Sequence, residues 1–237
     1  MFSFELIAFD ADDTLWHTER LYAETQKQFT QLLANYHDPK WINDRLYQIE
    51  SRNIQHFGYG IKAFALSLIE TAIELTEGKI SSKDIQEIVN WAKKMLNSEI
   101  ELFPYVSQII PQLSSQYPLM IITKGDLLDQ EAKIKKSGLE KYFQHIEIIS
   151  QKTSESYEKL LKKYSVNPSR FMMIGNSLPS DVLPILNLGG SAVHIPYEIT
   201  WVHETAEQPP HDQAGYHQLE NLGQLPPLLE RIMQNKE

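Results

Sequence analysis

The chain has no cysteine among its 237 residues. This absence excludes disulfide bonds, thiolate metal sites and a thiol nucleophile. Positive charge is also scarce, because 22 lysines and arginines stand against 31 aspartates and glutamates, for a formal net charge of -9. An extended basic surface is therefore excluded, and we expect no nucleic-acid partner.

Long apolar runs are missing as well. No stretch approaches the roughly 20 apolar residues that span a bilayer, so we expect no membrane partner. Residues 1–9 are largely apolar, but they lack a basic leader and are interrupted by Glu5. This segment does not resemble a signal peptide, and we therefore expect a cytoplasmic protein.

Five short apolar runs predict the strands of one sheet. Their near-continuous apolar character is typical of parallel strands that are buried on both faces. Helix-like segments at 126–137, 154–164 and 179–188 separate the last four runs, which predicts right-handed crossovers between parallel strands. The sequence thus predicts an α/β fold, a doubly wound, Rossmann-like parallel sheet flanked by helices. The runs are residues 4–9, 119–122, 146–149, 171–174 and 192–195.

The interval between the first two runs has a different character. Residues 16–102 carry helix-period sequence without a convincing strand, and Ser81 with Asp84 forms a helix-capping pattern. We predict an all-helical cap domain at 16–102, inserted into a core domain formed by 1–15 and 103–237. Residues 201–216, which contain two adjacent prolines, are predicted to form a long surface loop.

Polar residues follow the first four runs at the points where the strands should end. In an open parallel sheet ligands bind beyond the carboxyl ends of the strands, so we expect these side chains to converge. Several carboxylates at one place require a cation, and oxygen ligands suit Mg²⁺ together with a substrate phosphate. The residues are Asp10, Asp12, Asp13, Thr123, Lys124, Gly125, Lys152, Asn176 and Asp181.

This array resembles the haloacid-dehalogenase-like hydrolases, through DxDxT at 10–14, a strand ending in Thr123, a downstream Lys152 and the G-N-x4-D pattern at 175–181. The resemblance implies that Asp10 attacks phosphorus to form an aspartyl-phosphate, while Asp12 protonates the leaving oxygen and then activates water. Thr123 and Lys152 would complete the catalytic set. The implied phosphate-binding residues are Thr123, Lys124, Gly125 and Lys152, and the implied Mg²⁺ ligands are Asp10, Asp12, Asn176 and Asp181.

Two positions depart from the family pattern. Asn176 stands where the family often has Asp, so metal binding is expected to depend more on Asp181. Lys124 stands where the family often has Asn, which puts a second cation near the phosphate or points it into solvent. The true dehalogenases of the family typically lack the second Asp, so Asp12 favours phosphate chemistry.

The function implied by the resemblance is Mg²⁺-dependent removal of phosphate from a small phosphorylated metabolite. Three alternatives share these residues. A phosphomutase would return the phosphoryl group to a sugar, an aspartate-phosphorylated signalling switch would retain it, and a binding protein would have lost catalysis. Asp13 and Asp126 are predicted to be structural, and the segment 203–207 resembles a zinc helix without its second histidine.

Overall fold

The computed structural model describes residues 3–199 and 206–235. None of the helices in these two ranges is both long and apolar enough to cross a membrane. The strands are β1 Leu6–Phe9, β2 Leu119–Lys124, β3 His145–Ile149, β4 Phe171–Gly175, β5 Ser191–His194 and β6 Tyr216–Gln218. The helices are α1 Glu19–Leu32, α2 Pro39–Phe57, α3 Ile61–Leu75, α4 Ser82–Asn97, α5 Val106–Ser114, α6 Leu127–Ser137, α7 Ser154–Lys163, α8 Leu183–Asn187 and α9 Leu225–Asn235.

The six strands form one sheet in the order β3-β2-β1-β4-β5-β6, and each neighbouring pair is parallel. The predicted α/β fold with a parallel Rossmann-like sheet is confirmed. Strand β1 lies between β2 and β4, which brings the ends of three motif-bearing strands side by side. Strand β6 was not predicted, because its three residues do not form an apolar run.

Alternate residues of β1 serve two separate cores. Ile7 and Phe9 pack on one face of the sheet with residues of α5 and α9. Leu6 and Ala8 pack on the other face with residues of α7 and α8. This double burial explains why the strand sequence is apolar throughout, since each large buried aliphatic side chain stabilises the fold by about 1.5–3 kcal/mol.

The chain divides into two compact units. The first comprises the described residues up to Glu19, Ile100–Lys124 and those from Lys133 onward, and it contains the sheet. The second comprises Arg20–Glu99 and Gly125–Ala132. This division differs from the predicted boundaries at residues 16–19, 100–102 and 125–132, and the assignment of a functional cap domain stays a prediction.

The second unit is helical and has its own core, which includes Phe29, Leu46 and Leu68. The side chain of Asp38 caps α2, and Ser81 caps α4 by accepting a hydrogen bond from the backbone N–H of Asp84. The capping pattern predicted at Ser81 is therefore present.

Proline changes one predicted helix. The segment predicted as a single helix over 179–188 is divided into a π-helical turn, Leu178–Val182, and α8. Pro184 has no N–H to donate, so it fits the first turn of a new helix better than the middle of a continuous one.

The predicted loop at 201–216 is described only in part. Residues 201–205, which include most of the segment 203–207, lie outside the described residues. Residues 206–215 contain no helix or strand.

Candidate active site

Asp10 lies directly after β1 and is buried, with 7% of its surface exposed. Its backbone N–H donates to the carbonyl of Ile174 in β4, which anchors the start of the loop to the sheet. Oδ1 accepts a hydrogen bond from Lys152 Nζ at 2.5 Å, and Oδ2 accepts one from Thr14 Oγ1 at 3.1 Å. Burial raises the pKa of Asp10, although the Lys152 ammonium opposes that effect.

Lys152 lies between two buried carboxylates. Its Nζ is 2.5 Å from Oδ1 of Asp10 and 2.6 Å from Oδ1 of Asp181. Burial disfavours the charged ammonium, but the two carboxylates outweigh burial and raise the pKa of Lys152 above its ordinary value. The side chain is therefore a fixed internal cation.

Asp181 is completely buried, and both of its oxygens accept hydrogen bonds from the protein. Oδ1 binds Lys152, and Oδ2 accepts from the backbone N–H of Ser177 at 3.1 Å. A Cβ at position 175 would overlap the Asp181 carboxylate, which explains why glycine precedes Asn176. The sequence favoured Asp181 as a metal ligand, whereas its oxygens here bind a lysine and a backbone amide.

Asp12 is held by a different set of donors. Its Oδ1 accepts from Trp16 Nε1, Thr18 Oγ1 and Lys133 Nζ, each at 2.8 Å. Lys133 Nζ also lies 2.7 Å from Oδ2. Lys133 was not predicted from the sequence, because no pattern distinguishes it from Lys135 and from the other lysines of α6.

Asp13 has a structural role, as predicted. Its backbone adopts a left-handed conformation with φ 57°, and its carboxylate accepts from the backbone N–H groups of Thr18 and Glu19. These bonds fix the chain that follows the Asp10–Asp12 loop. Burial raises the pKa of Asp13 to about 7.

Thr123 and Lys124 end β2. The Thr123 side chain is 1% exposed, and in the described part of the chain its hydroxyl has one hydrogen bond, to the carbonyl of Lys124 at 3.4 Å. Lys124 Nζ donates to Ser180 Oγ at 2.9 Å, so this lysine does not simply point into solvent. Gly125 belongs to the helical unit and adopts φ 140°. A Cβ at this position would overlap the side chain of Gln130.

Asn176 follows β4 and shares Thr14 with Asp10. Thr14 Oγ1 lies 3.1 Å from Asn176 Oδ1 and 3.1 Å from Asp10 Oδ2, and it also accepts from the backbone N–H of Asn176. A hydroxyl has one proton, so it can serve only one of the two side-chain oxygens at a time. The other oxygen requires a further donor or a cation.

A hard metal ion fits this oxygen pair. The described residues contain no cluster of three or more histidine, aspartate or glutamate side chains arranged for a metal. A divalent ion at this place would therefore need the Asp10 carboxylate together with the Asn176 amide oxygen and a backbone carbonyl. Such an oxygen set, completed by water, suits Mg²⁺.

Two buried carboxylates, an internal lysine and a buried threonine hydroxyl lie together at the strand ends of a parallel α/β sheet. The family of haloacid dehalogenase-like hydrolases matches residues 4–189. The chain belongs to this family.

Individual relatives agree with this assignment. The chain is 35% identical to a haloacid dehalogenase-like hydrolase from Xanthomonas campestris, covering 99% of this chain and 95% of that one with a TM-score of 0.87. The magnesium-bound HAD-hydrolase YfnB from Bacillus subtilis shares the fold, at 16% identity over 96% of this chain and 99% of that one, with a TM-score of 0.67.

A glyceraldehyde 3-phosphate phosphatase from Methanothermobacter thermautotrophicus is 27% identical over 104 residues. That match spans 41% of this chain and 46% of the relative. The chain thus matches less than half of that phosphatase's length.

Proposed function

We propose that the protein is a Mg²⁺-dependent phosphatase that hydrolyses a small phosphomonoester through an aspartyl-phosphate on Asp10. One observation carries the proposal: Asp10 and Asp12 are two residues apart and are held by separate donors. Asp10 binds Lys152 and Thr14, whereas Asp12 binds a group that includes Trp16. Two independently held carboxylates can act on different atoms of one phosphate ester.

In the first proposed step, an Asp10 carboxylate oxygen attacks phosphorus and the bond from phosphorus to the leaving oxygen breaks. The carboxyl group of Asp12 gives its proton to that oxygen, so the product leaves as a neutral alcohol. The phosphoryl group is then an acyl phosphate on Asp10.

In the second proposed step, a water oxygen attacks phosphorus while Asp12, now a carboxylate, accepts a proton from that water. The bond between phosphorus and the Asp10 oxygen breaks, which releases inorganic phosphate and restores the Asp10 carboxylate. Asp12 recovers its proton, and both residues return to their initial states.

The remaining polar residues would position the phosphate and stabilise its charge. The Thr123 hydroxyl is buried and makes one long hydrogen bond among the described residues, so it can turn towards a phosphoryl oxygen. Lys152 stays charged beside Asp10 and would offset negative charge as the Asp10–phosphorus bond forms. Lys124 would supply a second cation from the end of the neighbouring strand.

Mg²⁺ would be held by the Asp10 carboxylate, the Asn176 amide oxygen and the backbone carbonyl of Asp12. When bound, the ion would neutralise phosphate charge and help to orient the ester. The magnesium in the YfnB structure and the phosphatase named among the relatives support this proposal.

The test is release of inorganic phosphate from a panel that includes glyceraldehyde 3-phosphate, phosphoglycolate, hexose phosphates and nucleotides, with Mg²⁺ or with a chelator. We expect Mg²⁺-dependent turnover that Asp10→Asn abolishes and that Asp212→Asn, at an exposed carboxylate, leaves intact. Retained activity in Asp10→Asn would exclude Asp10 as the nucleophile.

The same assay separates the alternatives. Stoichiometric labelling of the protein without release would instead indicate a signalling switch, and transfer to a second sugar hydroxyl would indicate a phosphomutase. A panel of 2-haloacids tests for dehalogenation, and halide release without phosphate release would overturn the proposal.

A further inference from the structure

Lys133, in α6, contacts the carboxylate of Asp12. Its Nζ is 2.8 Å from Oδ1 and 2.7 Å from Oδ2 of Asp12, so the ammonium faces both carboxylate oxygens. The lysine side chain is 11% exposed and the Asp12 side chain is 25% exposed. A pair as sheltered as this is less screened by water than one on the surface.

No pattern in the sequence around Lys133 predicts that this lysine is buried. Lys135, on the same helix, is exposed to solvent, as lysines usually are. Burying an ammonium disfavours folding unless a partner compensates for its lost hydration. The carboxylate of Asp12 is such a partner for Lys133.

Trp16 and Thr18 hold one side of the Asp12 carboxylate, because both donate to the same oxygen, Oδ1. Lys133 contacts both oxygens and so also restrains Oδ2. Its charge also makes these hydrogen bonds stronger than those from neutral donors.

We propose that Lys133 is a positioning residue, which orients the carboxyl group of Asp12 for proton transfer to the leaving oxygen. This inference rests on the proposed function, because it assumes that Asp12 is the acid of a phosphatase. Lys133 acts through Asp12 and is not itself the proton donor.

The role predicts a dependence on the leaving group. An alkoxide leaves poorly unless it receives a proton as its bond to phosphorus breaks, whereas p-nitrophenolate leaves readily without one. Loss of orientation at Asp12 should therefore slow hydrolysis of an alkyl phosphate much more than hydrolysis of p-nitrophenyl phosphate. A purely structural role for Lys133 would slow both esters equally.

The experiment compares kcat/KM for β-glycerol phosphate and p-nitrophenyl phosphate, because kcat/KM reports the steps up to departure of the leaving group. For Lys133→Met we expect a loss of about 10- to 100-fold on the alkyl ester and a much smaller loss on the aryl ester. Lys133→Arg, which keeps a charged donor, should recover most of the alkyl activity. Lys135→Met is the matched control and should match the wild type on both esters.

A second arm tests whether Lys133 acts through Asp12. In an Asp12→Asn background, Lys133→Met should cause no further loss on either ester, because the group to be oriented has lost its proton. Thermal melting of every variant checks folding. If Lys133→Met does not melt cooperatively, Lys133→Gln replaces it, and the same preferential loss on the alkyl ester is expected.

The outcomes separate the inference from the proposed function. Equal slowing of both esters, or full additivity with Asp12→Asn, would overturn the positioning role while leaving the phosphatase intact. A wild-type protein that releases phosphate from no ester would overturn the proposed function and the positioning role with it.

Discussion

Nζ of Lys152 lies 2.5 Å from Oδ1 of Asp10, and both groups are buried. The ammonium also binds Asp181, so a single cation separates two carboxylates that would otherwise repel each other. Lys152 therefore has a folding role that is independent of any catalytic one. The folding role can be checked without knowing the substrate.

Replacing Lys152 with methionine should destabilise the fold. The change leaves Asp10 and Asp181 buried without their cation, and removing one partner of such a buried ionic group typically costs about 3–5 kcal/mol. Urea unfolding measures the loss, with Lys135→Met as the surface control. Adding Asp181→Asn to Lys152→Met should recover part of the stability, and a double variant less stable than Lys152→Met would contradict the charge argument.

Replacing Asn176 with aspartate should strengthen magnesium binding. The new carboxylate would join Asp10 near Thr14 and add a charged ligand to an oxygen set that now contains an amide. We expect the Kd for Mg²⁺, measured by calorimetry, to fall by about 10-fold, because ligand charge is one determinant of affinity. Asn90→Asp adds the same charge on an exposed surface of α4 and should leave the Kd unchanged, and equal affinities for all three proteins would refute the assignment of Asn176.

Replacing Gly175 with alanine should disturb the site through simple overlap. The added methyl group would occupy the space of the Asp181 carboxylate and displace it from Lys152. Such overpacking typically costs about 1–3 kcal/mol, and phosphate release should fall as well. Gly138→Ala is the control, because its methyl group would meet no other atom. Its one cost is the strain of placing alanine at φ 69°. It should lower stability by about 1–2 kcal/mol without changing activity.

Glu50 in α2 should make stability depend on pH. Burial raises its pKa from 4.5 to about 7, so between these values the folded chain holds a proton that the unfolded chain has released. The free energy of unfolding therefore falls as pH rises through this window. The free energy of unfolding at pH 8 should therefore be about 3 kcal/mol lower than near pH 4, at about 1.4 kcal/mol for each unit of pKa shift.

Glu50→Gln removes that titration. The variant should be more stable than the wild type at pH 8 and should lose the advantage near pH 4. Chemical unfolding at several pH values measures the difference, and Glu87→Gln, at an exposed site, should follow the wild type. A stability difference for Glu50→Gln that does not change with pH would contradict the prediction.

The sequence predicted the sheet because its strands are buried on both faces. Apolar runs such as 119–122 carry that information locally, without reference to their neighbours. Strand β6 was missed because it has three residues and includes the polar His217 at the edge of the sheet. An edge strand with partial burial leaves too weak a pattern to distinguish it from a loop.

The candidate site was predictable to the extent that strand ends converge. That rule brings together Asp10, Lys152 and Asp181. It did not predict that the Asp181 carboxylate would bind the Lys152 ammonium. The contact of Lys133 with Asp12 was not predictable. It depends on tertiary structure, which no local pattern around this lysine encodes.

The central place of β1 in the sheet has a kinetic consequence. Its backbone hydrogen bonds are flanked by β2 and β4, so fraying at the edge strands β3 and β6 does not expose them. Amide protons of Ile7 and Phe9 should then exchange with deuterium only when the whole sheet opens, and they should be among the slowest in the chain. The backbone that carries Asp10 thus belongs to the last part of the molecule to unfold locally.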